Sequence, residues 1–265
     1  MRDPYRLAVL LFCAACGGKS SNPGPLVLDA YGGPSGHVAA DVRLTEPGVG
    51  QQRTCTASVN AGACQFTSCK LGGIGSPGVG FGDFGPITVS VGSTDVPLTY
   101  GGFGYGTVYF PDGVTLGTGG KMRFRGGGGG GVPEFDVSAT IPGLGTLTSP
   151  VPAADGGVAI DTSQDLAVAW SPISIGQILF EIYGGVPSPG AVANSIDCTY
   201  DGASGGGVVP QALLSSMKDM SGVDPVYADL GSKLEATTIV DGLTIITQSS
   251  QSSGGANQTL NVMFQ

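Results

Sequence analysis

An all-β fold is what this sequence predicts: an antiparallel β-sandwich, immunoglobulin-like or jelly-roll-like, in one body or two packed halves. Three observations predict it. From His37 onward, short runs rich in β-branched and aromatic residues recur about every 8 to 12 residues, the interval of sandwiches and barrels. Glycine (48) and proline (18) make up about a quarter of the 265 residues, yet they punctuate the apolar runs and do not replace them. Only Pro210 to Met220 has helical spacing, with Pro in the first turn and Ala212, Leu213, Leu214 and Met217 on one face.

The runs follow in order. HVAADVRL opens the series at 37–44. TCTASV and ACQFTSC are separated by the turn signal Asn60-Ala61-Gly62 and predict a hairpin. PITVSV, GTVYF, KMRFR and FDVSAT come next, and the six glycines 126 to 131 make a loop between the last two, because each would cost a strand backbone entropy and offer nothing to pack. DLAVAW, QILFEIY and SIDCTY precede the one helix near 210–220. EATTIV and LTIITQ are joined by Asp241-Gly242, the strongest turn signal in the chain, and QTLNVMF closes the series. A seam is expected near 148–157, in TSPVPAADGG, within a body running from 37 to 265. Residues 16–36 have no periodicity and read as a flexible tether.

The first residues carry a different message. Two arginines in Met1 to Arg6 precede a nine-residue apolar run, Leu7 to Ala15, which is far short of the about 20 residues of a spanning helix and fits a signal peptide over 1–15. Ala14 and Ala15 are small and precede Cys16, whereas bulky Phe12 precedes Cys13. The segment resembles the lipobox of bacterial lipoproteins, with Cys13 standing where that family usually has leucine. The resemblance implies cleavage before Cys16, lipidation of Cys16 and membrane attachment through the N-terminal lipid. Gly17, in place of aspartate, implies an outer-membrane lipoprotein of the cell envelope, facing the periplasm or the surface.

Removing 1–15 takes away two arginines and one aspartate, and the net charge moves from −9 to −10. An acidic chain with no Lys/Arg cluster repels polyanions, so nucleic acid is excluded as a partner. Charged residues are 12% and the mean hydropathy is +0.22, which excludes disorder through low hydrophobicity. Cys55, Cys64, Cys69 and Cys198 remain after cleavage, and in an exported chain they read as two disulfides with three connectivities open. With Val59 opposite Ala63, strand alternation puts Cys55 and Cys69 on one face and Cys64 on the other. That favours Cys55–Cys69, with Cys64 reaching Cys198 across the seam and tying the halves into one body. A metal site fails on ligands, since His37 is the only histidine.

Beyond the lipobox, the run from GPITVSVG through GGKMRFRGGGGGGVPEFDVSATIPG and IDTSQDLAVAWSP to SIDCTYDGASGGGVVPQALLSSM is similar to a group of uncharacterised glycine-rich lipoproteins of the myxobacterial type. That resemblance covers roughly 55 to 250, implies a secreted β-rich fold and brings no activity.

Catalytic motifs do not hold together. Gly80 to Gly85 spells G-x-G-x-x-G, but Pro86 and ITVSV follow where a nucleotide site needs a helix. Gly202 to Gly206 spells G-x-S-x-G, with no histidine downstream to act as base, and reads as a turn between SIDCTY and the helix. A serine–lysine pair with Lys218 or Lys233 would need a desolvating pocket. Paired carboxylates for glycan hydrolysis could come from Glu134, Asp136, Asp161, Asp165, Glu181, Asp197 and Asp201, without a means of choosing two. No cofactor is expected; calcium at the weak affinities of extracellular modules is the one ion these carboxylates leave open. Tyr100, Phe103 and Tyr105, in a glycine-rich turn where burial is hard, are the expected ligand-contact patch. The resulting expectation is a non-enzymatic binding or adhesion module for a polysaccharide or an envelope protein. Its alternatives are a surface-assembly subunit docking through a strand edge, with NQTLNVMFQ as the edge, and a carboxylate-dependent glycan hydrolase.

Overall fold

The structure is a computed structural model, and it describes residues 25–32, 38–44, 53–71, 84–100, 105–153, 156–184, 192–220, 226–252 and 259–265. Cys16, His37, Phe103 and the G-x-G-x-x-G segment before Phe84 lie outside these residues. The strands in chain order are β1 (Leu26–Gly32), β2 (Ala39–Leu44), β3 (Arg53–Ala61), β4 (Cys64–Leu71), β5 (Ile87–Val91), β6 (Thr94–Leu98), β7 (Val108–Tyr109), β8 (Lys121–Gly126) and β9 (Phe135–Thr140). They continue with β10 (Leu147–Ser149), β11 (Gly157–Ile160), β12 (Leu166–Trp170), β13 (Gln177–Gly184), β14 (Val192–Asp201), β15 (Gly206–Val209), β16 (Val226–Val240), β17 (Leu243–Ser252) and β18 (Thr259–Phe264). Among the described residues one α-helix, α1 (Gln211–Met220), interrupts them. The chain is all-β with one short helix, as its punctuation predicts.

One large sheet of 11 strands organises everything: β3-β4-β14-β13-β16-β17-β1-β2-β7, with β18 beside the first half of β16 and β11 beside β18. It is mixed, because β1 runs parallel to β17 and β11 parallel to β18. Two smaller antiparallel sheets, β6-β5-β8-β9 and β10-β12-β15, form the second layer.

Registers show that both small sheets lie on the same side of the large one. Ile178, Phe180 and Ile182 of β13 stand level with Tyr200, Cys198 and Ile196 of β14 and with Ser232, Leu230 and Ala228 of β16. Further along, β16 alternates on the same face into Val240, level with Leu243 of β17, and β17 carries that face to Leu26 of β1 through Ile245. The first core joins Leu26, Leu28, Val42 and Ile245 to Val89, Met122, Phe124 and Val137 of the four-stranded sheet. The second joins Phe66, Phe180, Ile182, Ile196 and Leu230 to Val168, Trp170, Val209 and the α1 residues Leu213, Leu214 and Met217. Along the chain Ile141 belongs to the first core and Leu147 already packs against the second, while Cys64 and Phe66 of the second core come before this point and Leu243 and Ile245 of the first come after it.

Local chemistry sets several elements. The carboxylate of Asp165 accepts the Gln211 N–H at 2.8 Å, satisfying a free donor at the start of α1. Asp241 (φ 48°) and Gly242 (φ 83°) are both left-handed and close the β16–β17 hairpin, the turn that an Asp-Gly pair favours. Gly126 ends β8 as glycine because a Cβ there would lie 2.2 Å from the ring of Phe135.

Three expectations need correction. The tether was expected to run to residue 36, yet Leu26–Gly32 is a strand seated between β17 and β2, with Leu26, Leu28 and Ala30 fully buried. Its flanking glycines and prolines obscure a short run that is buried on both faces from Leu26 to Ala30. The hairpin of β3 and β4 turns later than expected, on Gly62-Ala63, so that Val59 faces Phe66 in place of Ala63 and Ala61 faces Cys64. With that register alone Cys55 and Cys69 would fall on opposite faces. A bulge between Cys55 and Ala57 restores them to directly opposed positions. Both disulfides are the favoured pairs: Cys55–Cys69 on one face and Cys64–Cys198 on the other, in the second core. Finally, the terminal strand is no edge, for β18 has β11 on one side and β16 on the other.

Candidate functional site

Because both small sheets and α1 pack on one face of the large sheet, its other face receives the alternate side chains. β13 reads QILFEIYG: Ile178, Phe180 and Ile182 enter the core, so Leu179, Glu181 and Tyr183 point to the open side. The neighbours obey the same rule, and two rows cross four strands. In the first, Gln65 of β4 stands opposite Asp197 of β14, Asp197 opposite Glu181 of β13, and Glu181 opposite Asp229 of β16. In the second, the order is Thr67, Ser195, Tyr183 and Tyr227.

Hydrogen bonds join the rows. Ser195 Oγ donates to Asp197 Oδ2 at 2.9 Å and stands 2.9 Å from Thr67 Oγ1, while the Tyr183 hydroxyl donates to Asp229 Oδ2 at 2.7 Å. The rings of Tyr183 and Tyr227 pack side by side, 5.8 Å between centroids. Burial, with the hydrogen bond to Asp229, pushes the Tyr183 phenol up to about 12, so it stays a donor at any physiological pH. Glu181 is the unusual group. Burial raises its carboxyl to about 7, helped by the charge of Asp197, by a hydrogen bond shared with Asp197, and by Asp229, while Lys233 pulls the other way.

Of the seven carboxylates singled out in the sequence, the structure brings together Glu181 and Asp197. Four of the others have structural work. Asp136 pairs with Arg123, Asp161 accepts the Ser163 N–H and the Gln164 amide, Asp165 caps α1, and Asp201 accepts the Ala203 N–H of a one-turn 3-10 helix at Gly202–Ser204. That helix is the G-x-S-x-G motif, and its Ser204 hydroxyl is 2.7 Å from the Asp201 carbonyl, as in a turn.

The expected contact patch does not form as expected. Tyr105 is buried in the first core, where its hydroxyl accepts the Phe84 N–H at 2.9 Å and donates to the Gly85 carbonyl at 2.6 Å. Tyr100 packs against it, half-buried, at 5.5 Å between rings. Burial takes Tyr105 out of any contact surface, and Phe103 lies outside the described residues.

Asp229, Tyr183, Tyr227, Ser195 and Thr67 were not picked out from sequence. The signal was there for the β16 pair, since Val226-Tyr227-Ala228-Asp229-Leu230 alternates apolar and polar side chains. Among the described residues, no group of three or more His, Cys, Asp or Glu is placed to hold a metal ion. No protein-family model matches this chain, and neither does any curated protein.

Proposed function

We propose that the chain is a lipid-anchored protein of the cell envelope that binds an extracellular or envelope polymer, without catalysis, on the open face of its large sheet. The observation that carries this reading is the second row, where a pair of packed tyrosines stands beside serine, threonine and carboxylate groups on the side of the sheet opposite the two small sheets and α1. Aromatic faces offer apolar area to the faces of sugar rings, and the adjoining hydroxyls and carboxylates match their polar edges. Two disulfides fit an oxidising, non-cytoplasmic compartment, and no helix among the described residues is long and apolar enough to cross a membrane. Attachment through Cys16 would then place the body at the envelope.

A glycosidase reading has less support. Its two carboxyl groups must face each other across a cleft at least about 5 Å wide, whereas Glu181 and Asp197 stand side by side on adjacent strands of one sheet face. For a surface-assembly reading the edge to consider is β3, nine residues long with β4 as its one neighbour in the sheet and an exposed Val59.

The test is saturable binding of envelope and exopolysaccharide preparations to the full chain carrying Cys16→Ser. Its mass should be that of an unacylated chain, in contrast to the native one. Tyr183→Ala with Tyr227→Ala should weaken binding at least about tenfold, as loss of stacked aromatic contact does. Undiminished binding by the double variant would remove the open face from the reading, and masses that differ only by the sulfur-to-oxygen exchange of Cys16→Ser would remove the lipid.

A further inference from the structure

The first row of the open face carries an arrangement that polymer binding does not call for. Side chains directly opposed on antiparallel strands sit about 5 Å apart, and like charges at such positions repel. Asp197, Glu181 and Asp229 are opposed in this way twice over, across β14, β13 and β16. Compensation from the surrounding strands is thin. β4 brings Gln65, which is neutral; β14 brings Ser195, a donor to Asp197, and farther along Asp201; β13 brings Tyr183, whose proton goes to Asp229. β16 brings Tyr227 and Lys233, a cation that acts on Glu181, and β18 meets Asp229 at Thr259. Asp229 Oδ1 is closed off from solvent and has no hydrogen-bond partner.

Among the described residues, a row of three ionised carboxylates in this half-buried strip would have the Lys233 ammonium group to balance it. A proton is the smallest ligand that relieves the repulsion, and it also supplies the hydrogen that a carboxyl–carboxylate contact requires. We propose that Asp197, Glu181 and Asp229 form a proton-operated latch across the centre of the large sheet: the folded chain holds one proton in this row, and acidification tightens β14, β13 and β16 together. Glu181 is its principal seat, because it is the middle member and the one in contact with both neighbours' fields. The elevated carboxyl of Glu181 agrees with this placement. The latch also sets the charge of the face assigned above to polymer binding, but its existence does not depend on that assignment.

The chain has four glutamates, Glu46, Glu134, Glu181 and Glu235, so selective carboxyl labelling leaves a spectrum that can be followed by NMR over a pH titration. In the full chain one glutamate carboxyl should titrate with a midpoint near 7, be absent in Glu181→Gln, and move toward the ordinary range in Asp197→Asn and in Asp229→Asn. Because opposed carboxyls share the proton, the midpoint belongs to the row and not to one oxygen. A wild-type chain whose glutamates all titrate around the ordinary value of about 4.3 overturns the proposal. So does a high midpoint that survives Glu181→Gln, or one that neither asparagine variant moves. If one asparagine variant fails to fold, the other and the wild-type titration still decide the matter. No polymer enters this experiment, so failure of the binding reading would leave its result intact.

Discussion

Replacing Cys64 and Cys198 together with alanine should lower the free energy of unfolding by about 4 to 5 kcal/mol, against about 3 kcal/mol for Cys55 and Cys69 together. The difference follows from the loops the bridges close, since the first pair is 134 residues apart and the second 14. A long bridge removes more freedom from the unfolded chain. The long bridge is also buried in the second core, so its removal leaves a cavity as well. Guanidinium unfolding of both double variants beside the wild type, without reductant, measures the two costs. Equal costs, or a larger one for the short bridge, would mean that loop size does not set the order. The bridge has a consequence for the open face. It fixes Cys64 opposite Cys198, which brings Gln65 level with Asp197 and Thr67 level with Ser195 on the other side of the same strands. The long-bridge variant should therefore bind polymer more weakly than the short-bridge variant at temperatures where both remain folded.

Much of the layer structure was legible in the sequence because alternation and turn chemistry are local. QILFEIY alternates without a fault, and its buried members lie where a strand with one core face must put them. Asp241-Gly242 names its own hairpin. What escaped was decided by distant pairing. Leu26–Gly32 looks like part of a tether until β17 provides a parallel partner, and β18 looks like an edge until β11 returns beside it. The site escaped for the same reason. Glu181 and Asp197 each stood out as carboxylates, but nothing in the chain between them says that they are opposed, and Asp229 joins them only through the β13–β16 register. Tyr105 escaped differently. Glycines around it suggested exposure, whereas its hydroxyl bonds Phe84 and Gly85 from within the core.

Stability of the wild-type chain should fall as pH rises from about 4.5 to about 7, and Glu181→Gln should remove most of that fall. The direction follows from linkage. Glu181 is raised from 4.5 to about 7 in the folded chain, so between those values the folded state binds a proton that the unfolded state has released. Its contribution is fully present below the unfolded value and is lost as pH passes through the folded one. At about 1.4 kcal/mol per unit the shift corresponds to about 3 kcal/mol, and screening of a half-exposed group reduces this to about 2 kcal/mol. Asp95 and Asp136 act at the other end of the scale. Hydrogen bonds from Ser90 and Arg125 hold Asp95 below its ordinary value, and one from Arg123 does the same for Asp136. What these two add is lost only as pH drops below the ordinary carboxylate range. A maximum in mild acid results, with the Asp–Arg pairs setting its acid side and Glu181 its neutral side. Urea unfolding at about pH 4.5, 6 and 8 checks it: Glu181→Gln should match the wild type at the lowest pH and exceed it at the highest, because a neutral amide neither repels Asp197 nor requires a proton to donate to it. Parallel curves for the two chains would place the neutral-side loss elsewhere. Converging curves would mean that one glutamate at the centre of the sheet makes the acid-stable face also the less negative one, so that the same proton steadies these strands and sets the charge a polymer would meet there.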